Sequence, residues 1–145
     1  MPPQITNEEA SYVKLYLILP LILSAFERDK RIAEKVFKTP KPYVSLMENA
    51  IKQVEGELRE VKRKFRLHGI KVYEEQRTDL RIEAKYLCRG YHHTMALSWN
   101  LIKAESSVLM EKFLGLDIFK YINPSDHGDK YWLPSDKASP PTNKG

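Results

Sequence analysis

The sequence predicts a mainly α-helical domain, a small bundle of three to four helices with an inserted β-hairpin. Two stretches carry apolar residues every three or four positions, which is typical of helices with one buried face. Between them, apolar and charged residues alternate, which is typical of a strand. Short apolar runs fit both periods, so an all-α fold is the alternative. We expect a single helical domain over residues 1–122 and a flexible C-terminal tail over 123–145, which is rich in Pro, Ser, Asp and Gly.

The composition is that of a folded domain. Of the 145 residues, 42% are apolar and 30% are charged, which is enough for one domain with a buried core. The net charge of +5 favours acidic partners. The single cysteine excludes an intramolecular disulfide and suits a reducing compartment, so we expect a cytoplasmic protein.

The first helix is predicted from Thr6-Asn7-Glu8-Glu9, which has the T-x-x-E spacing of a capping box. From Leu15 to Phe26 the chain is apolar on nearly all sides, so this helix should be buried, and Pro20 should kink or split it. Because the apolar run is shorter than the roughly 20 residues that cross a bilayer, we expect no membrane insertion.

The second helix should follow the break at 39–43, sequence TPKPY. Its apolar residues are spaced alternately three and four positions apart, which predicts an amphipathic helix over 44–68 that ends at Gly69. These residues are Val44, Met47, Ile51, Val54, Leu58, Val61 and Phe65.

Strands are predicted next, because Leu80, Ile82, Ala84 and Tyr86 alternate with charged residues. We predict a hairpin of Ile70–Glu75 and Leu80–Leu87, and the alternative is one helix over 79–114. A second apolar repeat predicts a helix over 91–114. Its members are Cys88, His92, Met95, Trp99, Ile102, Ser106, Leu109 and Phe113.

The two helices with apolar repeats, 44–68 and 91–114, have similar predicted lengths. They should lie antiparallel, and the first helix should cover their apolar faces. Either repeat would also suit a coiled-coil homodimer, because such a pattern does not say which chain supplies the partner helix.

Cations are concentrated near the end of the second helix, in a basic cluster of Arg59, Lys62, Arg63, Lys64 and Arg66. Lys71 follows, and Tyr73 is a candidate for stacking on bases. Such charge density attracts phosphate, but cations also complement a helix C-terminus and solvate a surface. Lys62 and Arg66 form one pair four positions apart, and Arg59 and Arg63 form another. We therefore expect the charge to be spread around the helix.

Metal binding and catalysis have little support in the sequence. His68, Cys88 and His92 are weak candidate metal ligands, which antiparallel helices would bring together, but no paired CxxC accompanies them. The sequence contains no glycine-rich phosphate loop, G-x-S-x-G or H-E-x-x-H motif. We therefore expect a non-catalytic protein without a cofactor.

Two functions remain as hypotheses. The first is a small nucleic-acid-associated regulator or accessory factor that binds DNA or RNA through the basic cluster, Lys71 and Tyr73. The alternative is a protein–protein interaction adaptor or inhibitor that uses an apolar helix face. The apolar residues Tyr131, Trp132 and Leu133 in the tail would either fold back onto the domain or bind a partner.

Overall fold

The computed structural model describes residues 4–119. Within this range the chain is mainly α-helical, with a small antiparallel β-sheet, as the sequence predicts. The predicted tail, residues 123–145 with Tyr131–Leu133, lies outside the described residues. The elements are α1 (Asn7–Val36), α2 (Pro40–His68), β1 (Ile70–Arg77), β2 (Arg81–Cys88), β3 (Tyr91–Ser98) and α3 (Trp99–Phe113).

Helix α1 begins with the predicted capping box. The Glu9 amide donates to Thr6 Oγ1 over 3.0 Å, and the Thr6 amide donates to Glu9 Oε1 over 3.1 Å. The helix then runs unbroken to Val36, so Pro20 does not split it. Pro20 is exposed, and on that side water can replace the hydrogen bond that proline cannot donate.

Helix α1 is also the centre of the core. Val13, Ile18, Leu19, Ile22 and Phe26 are almost fully buried. By length and composition alone α1 would also pass as a membrane span, because an 18-residue window within it has a mean hydropathy of 1.4. However, 61% of that apolar window is buried within the protein, and the core helix of a water-exposed domain passes the same test.

Helix α2 ends at the predicted place, because Gly69 adopts φ +66° and donates its N–H to the Phe65 carbonyl. It begins at Pro40, four positions before the predicted start. Prolines are tolerated in the first turn of a helix, whose N–H groups have no partners within the helix. Contacts join Glu9 to His68, Tyr16 to Phe65 and Lys30 to Glu48, so the beginning of α1 lies beside the end of α2.

The sheet has the order β1-β2-β3, with antiparallel pairing throughout. The predicted hairpin is confirmed as β1 and β2, so the all-α alternative and the single helix over 79–114 are wrong. One face of β2 is buried through Ile82, Ala84, Tyr86 and Cys88. The register shifts at Tyr73, which forms a β-bulge in β1.

The predicted helix over 91–114 is wrong in its first third, because Tyr91–Ser98 is strand β3. Arg89 and Gly90 have φ values of +52° and +86° and form a two-residue turn that returns the chain alongside β2. Helix α3 starts at Trp99, where Ser98 Oγ accepts from the Leu101 amide over 3.1 Å. The rest of the predicted repeat is correct, since Ile102, Leu109 and Phe113 are buried.

Candidate functional site

A basic stripe runs along the exposed side of α2 and consists of Arg59, Lys62, Arg63 and Arg66. All four side chains are exposed. At 3.6 residues per turn these positions fall within an arc of about 100°. The two pairs that the sequence analysis assigned to different sides of the helix therefore lie on one face, opposite the buried Val54, Val61 and Phe65.

The cations of the predicted cluster differ in their contacts. Arg63 makes two hydrogen bonds to the Glu60 carboxylate, of 2.5 and 3.1 Å, on the exposed helix surface. Lys64 is half-buried and lies outside the stripe, with its Nζ 5.7 Å from the Tyr12 ring centroid. Lys64 therefore faces α1, and the phosphate-binding potential of α2 rests on the stripe.

Lys71 and Tyr73 continue from the end of α2 into β1, and both are exposed. The Tyr73 hydroxyl lies 2.9 Å from His92 Nδ1, and the two rings meet edge to face with their centroids 5.6 Å apart. His92 is exposed on β3. The sheet thus presents two adjacent aromatic rings to solvent next to the basic end of α2.

Near the C-terminal end of α2, a buried carboxylate joins α1, α2 and the turn between β2 and β3. Glu9, which is only 2% exposed, accepts a hydrogen bond from the Arg89 guanidinium and lies 2.8 Å from His68 Nδ1. We call Glu9, His68 and Arg89 the Glu9 cluster. Arg89 also donates its backbone N–H to the Gly69 carbonyl over 2.9 Å, so the β2–β3 turn is attached to the ends of both long helices.

The electrostatics of the Glu9 cluster favour the ionised carboxylate. Burial raises the pKa of Glu9, but the hydrogen bonds from Arg89, the Thr6 amide and His68 outweigh it and lower the pKa to about 2. Burial and the nearby Glu9 charge raise the pKa of the Cys88 thiol. The cluster therefore has the character of a structural ion pair, and Cys88 that of an unreactive buried thiol.

The three candidate metal ligands have other partners. His68 contacts Glu9, Cys88 Sγ donates to the His68 carbonyl over 3.8 Å, and His92 contacts Tyr73. Among residues 4–119, no group of three or more His, Cys, Asp and Glu side chains is arranged to hold a metal ion. His68 and Cys88 lie close together in the structure, but His92 lies on the exposed side of the sheet.

An apolar groove lies at the opposite end of the helices, where α1 turns into α2. Its volume is about 480 Å³. Four of its large apolar side chains are 42–51% exposed, namely Ile32, Phe37, Tyr43 and Leu46. The remaining lining residues are Phe26, Asp29, Met47, Met110 and Leu114.

Sequence reasoning missed both the Glu9 cluster and the apolar groove. Glu9 was recognised only as a capping residue, and nothing local connects it with Arg89, 80 positions away. The groove had a weak signal, because Ile32, Phe37 and Leu46 are large apolar residues that belong to neither apolar repeat.

These features define a small α+β protein with a cationic helix face at one end and an apolar groove at the other. A family model described as YhjD protein matches residues 4–118, and the chain belongs to this family. No curated protein and no solved structure matches the chain.

Proposed function

We propose that this protein is a non-catalytic binding protein and that the basic stripe contacts the phosphate backbone of nucleic acid. The supporting observation is the alignment of four exposed cations on one face of α2. Arg59 and Arg66 are seven positions apart, or about 10 Å along the helix. One strand of duplex DNA presents a phosphate every 3.4 Å or so, so the stripe would span about three phosphates.

In this proposal the nucleic acid lies along the side of α2. An end-on approach is disfavoured, because the C-terminus of a helix carries partial negative charge. Lys71 would extend the phosphate contacts, and Tyr73 with His92 would offer rings for base stacking in single strands. Helix α1, which contacts α2 through the Glu9–His68 and Tyr16–Phe65 pairs, would give this surface a rigid support.

The test is the triple variant Arg59→Gln, Lys62→Gln, Arg66→Gln, which leaves the Arg63–Glu60 pair intact. Binding of labelled duplex and single strands is followed by fluorescence anisotropy across a salt series. The logarithm of the binding constant falls as log salt rises, and each lost phosphate contact should make this slope shallower by about one. The triple variant should therefore make it shallower by about three.

The matched control is Arg31→Gln, Lys35→Gln, Lys38→Gln, which removes the same charge from exposed positions at the other end of the helical pair. It should retain most of the affinity and of the salt dependence. An equal loss in both triple variants would mean that net charge, not the stripe, governs binding. Absence of binding by the unmodified protein at low salt would refute the proposal.

The apolar groove supports a second candidate, a protein–protein adaptor or inhibitor. A contiguous set of half-exposed apolar side chains is the usual mark of an interaction site. A pull-down with and without nuclease separates the two candidates, since a protein partner held by the groove stays bound after nuclease treatment. Sedimentation equilibrium tests the coiled-coil homodimer, which remains a prediction.

A further inference from the structure

We infer that the apolar groove binds Tyr131, Trp132 and Leu133 of the same chain. This inference is independent of the phosphate-binding proposal, because the groove and the basic stripe lie at opposite ends of α2.

The groove is built by all three helices. Phe26 and Ile32 come from α1, Tyr43 from α2 and Met110 from α3. Its volume of about 480 Å³ lies within the roughly 300–1,000 Å³ of typical ligand pockets. Because the four exposed apolar side chains adjoin one another, the groove is a surface from which water would be favourably displaced.

The last described residues follow a groove residue closely along the chain. Leu114 lines the groove, and the described residues end five positions later, at Phe119. From Phe119 to Tyr131 there are about 12 steps along the chain, which can cover up to about 40 Å when extended. As a flexible linker the same stretch would have a root-mean-square span of about 20 Å. A segment tethered at this distance has an effective concentration near the millimolar range, which a separate partner would have to exceed.

The chemistry of the segment matches that of the groove. Tyr131 and Trp132 are large, rigid and amphipathic, and Leu133 adds an aliphatic side chain. Met47 and Met110 line the groove, and methionine sulfur adapts its position to pack on aromatic rings. Asp29 adds a carboxylate to the lining that can accept a hydrogen bond from an indole N–H or a phenol.

Tryptophan fluorescence tests the inference in the full chain. In the variant Trp99→Phe, Trp132 is the remaining tryptophan. Its emission should be blue-shifted and protected from acrylamide. Adding Leu46→Lys, at a half-exposed groove position, should move the emission to that of hydrated indole, with the helical circular dichroism unchanged. Leu67→Lys, at an exposed leucine of the same helix far from the groove, is the matched control and should change nothing.

Two results of this experiment would overturn the inference. One is a hydrated Trp132 in the Trp99→Phe variant, and the other is equal emission from the Leu46→Lys and Leu67→Lys variants.

Disulfide trapping provides a second measurement. With Cys88→Ser as background, Leu46→Cys and Leu133→Cys are combined, and dilute protein is oxidised with glutathione disulfide. A cross-linked monomer with altered gel mobility is the expected product. A cross-linked dimer would show that the segment binds a second copy, and an uncross-linked chain would show that the segment does not reach the groove. Either result overturns the inference.

Discussion

Replacing Glu9 by glutamine removes one charge from the core while keeping the shape of the side chain. The pKa of Glu9 is lowered from 4.5 to about 2 by its hydrogen bonds to Arg89, Thr6 and His68, which outweigh the effect of burial. At about 1.36 kcal/mol per pKa unit, this difference corresponds to about 3 kcal/mol of stability near pH 7. Loss of one partner from a buried ion pair typically costs roughly 3–5 kcal/mol. Arg89 is 37% exposed and can be rehydrated, so we expect the lower end of that range.

The pH dependence follows from the direction of the shift. Because the pKa of Glu9 is lower in the folded protein than in the unfolded chain, its contribution is complete above about pH 4.5 and is lost as the pH falls to about 2. The stability difference between the unmodified protein and Glu9→Gln should therefore be about 3 kcal/mol near neutrality and should shrink through this window.

Urea unfolding followed by far-ultraviolet circular dichroism, at several pH values, measures this difference. Glu8→Gln is the matched control, because Glu8 is an exposed glutamate in the same first helical turn. Because glutamine can still accept a hydrogen bond from the Tyr12 hydroxyl, this variant should cost only the roughly 0.3–1 kcal/mol of a charge near a helix N-terminus. A stability difference for Glu9→Gln that stays constant from about pH 7 to about pH 2.5 would refute the assignment of the effect to the Glu9 charge.

The other predictions concern the backbone and the thiol. Gly69→Ala should lower the free energy of unfolding by about 1–2 kcal/mol, because Gly69 has φ +66° and an added Cβ would lie 3.4 Å from the Arg89 backbone nitrogen. Gly56→Ala, inside α2 where the nearest atom is the tip of a side chain, should instead stabilise by about 0.5–1 kcal/mol, and thermal unfolding compares the two. Pro20→Ala should increase the free energy of unfolding by about 1–3 kcal/mol, because it restores a hydrogen bond within α1, and the melting temperature should rise accordingly. A lower melting temperature would show that the core requires the proline. Cys88 should react with a thiol reagent only when the protein opens, because the thiol is buried and burial also raises its pKa, and rapid labelling in native buffer would contradict the observed burial.

The parts of the fold that sequence reasoning predicted correctly are set by local interactions. The start of α1 depends on Thr6 and Glu9, three positions apart, and the end of α2 depends on the conformation of Gly69. The hairpin of β1 and β2 follows from strict alternation in β2. Each of these signals lies within a few residues of the structure it determines.

Strand β3 could not be assigned in the same way. Met95 fits the predicted helical repeat, but it also fits a strand in which His93, Met95 and Leu97 share a face. Eight residues are too few for the pattern to distinguish the two. The turn at Arg89-Gly90 decides between them, because it returns the chain to pair with β2. Arginine rarely occupies a left-handed position, so the sequence gives little warning of this turn.

The candidate sites likewise depend on more than local sequence patterns. The cations of the basic stripe were recognised from composition, but their common face appears only once α2 is known to be a continuous helix. The Glu9 cluster depends on residues 59 and 80 positions apart, and the groove depends on how three helices meet. Such sites are products of packing, which no local pattern encodes.

The central position of α1 has a consequence for synthesis on the ribosome. This helix is translated before the described elements that bury it, and the end of α2 follows about 32 positions later. At roughly 5–20 residues per second, the nascent chain carries an uncovered apolar helix for about 2–6 s. Ribosome-bound chains arrested when α1 has just left the exit tunnel should therefore bind a chaperone or a lipid vesicle more strongly than chains in which α3 has also emerged.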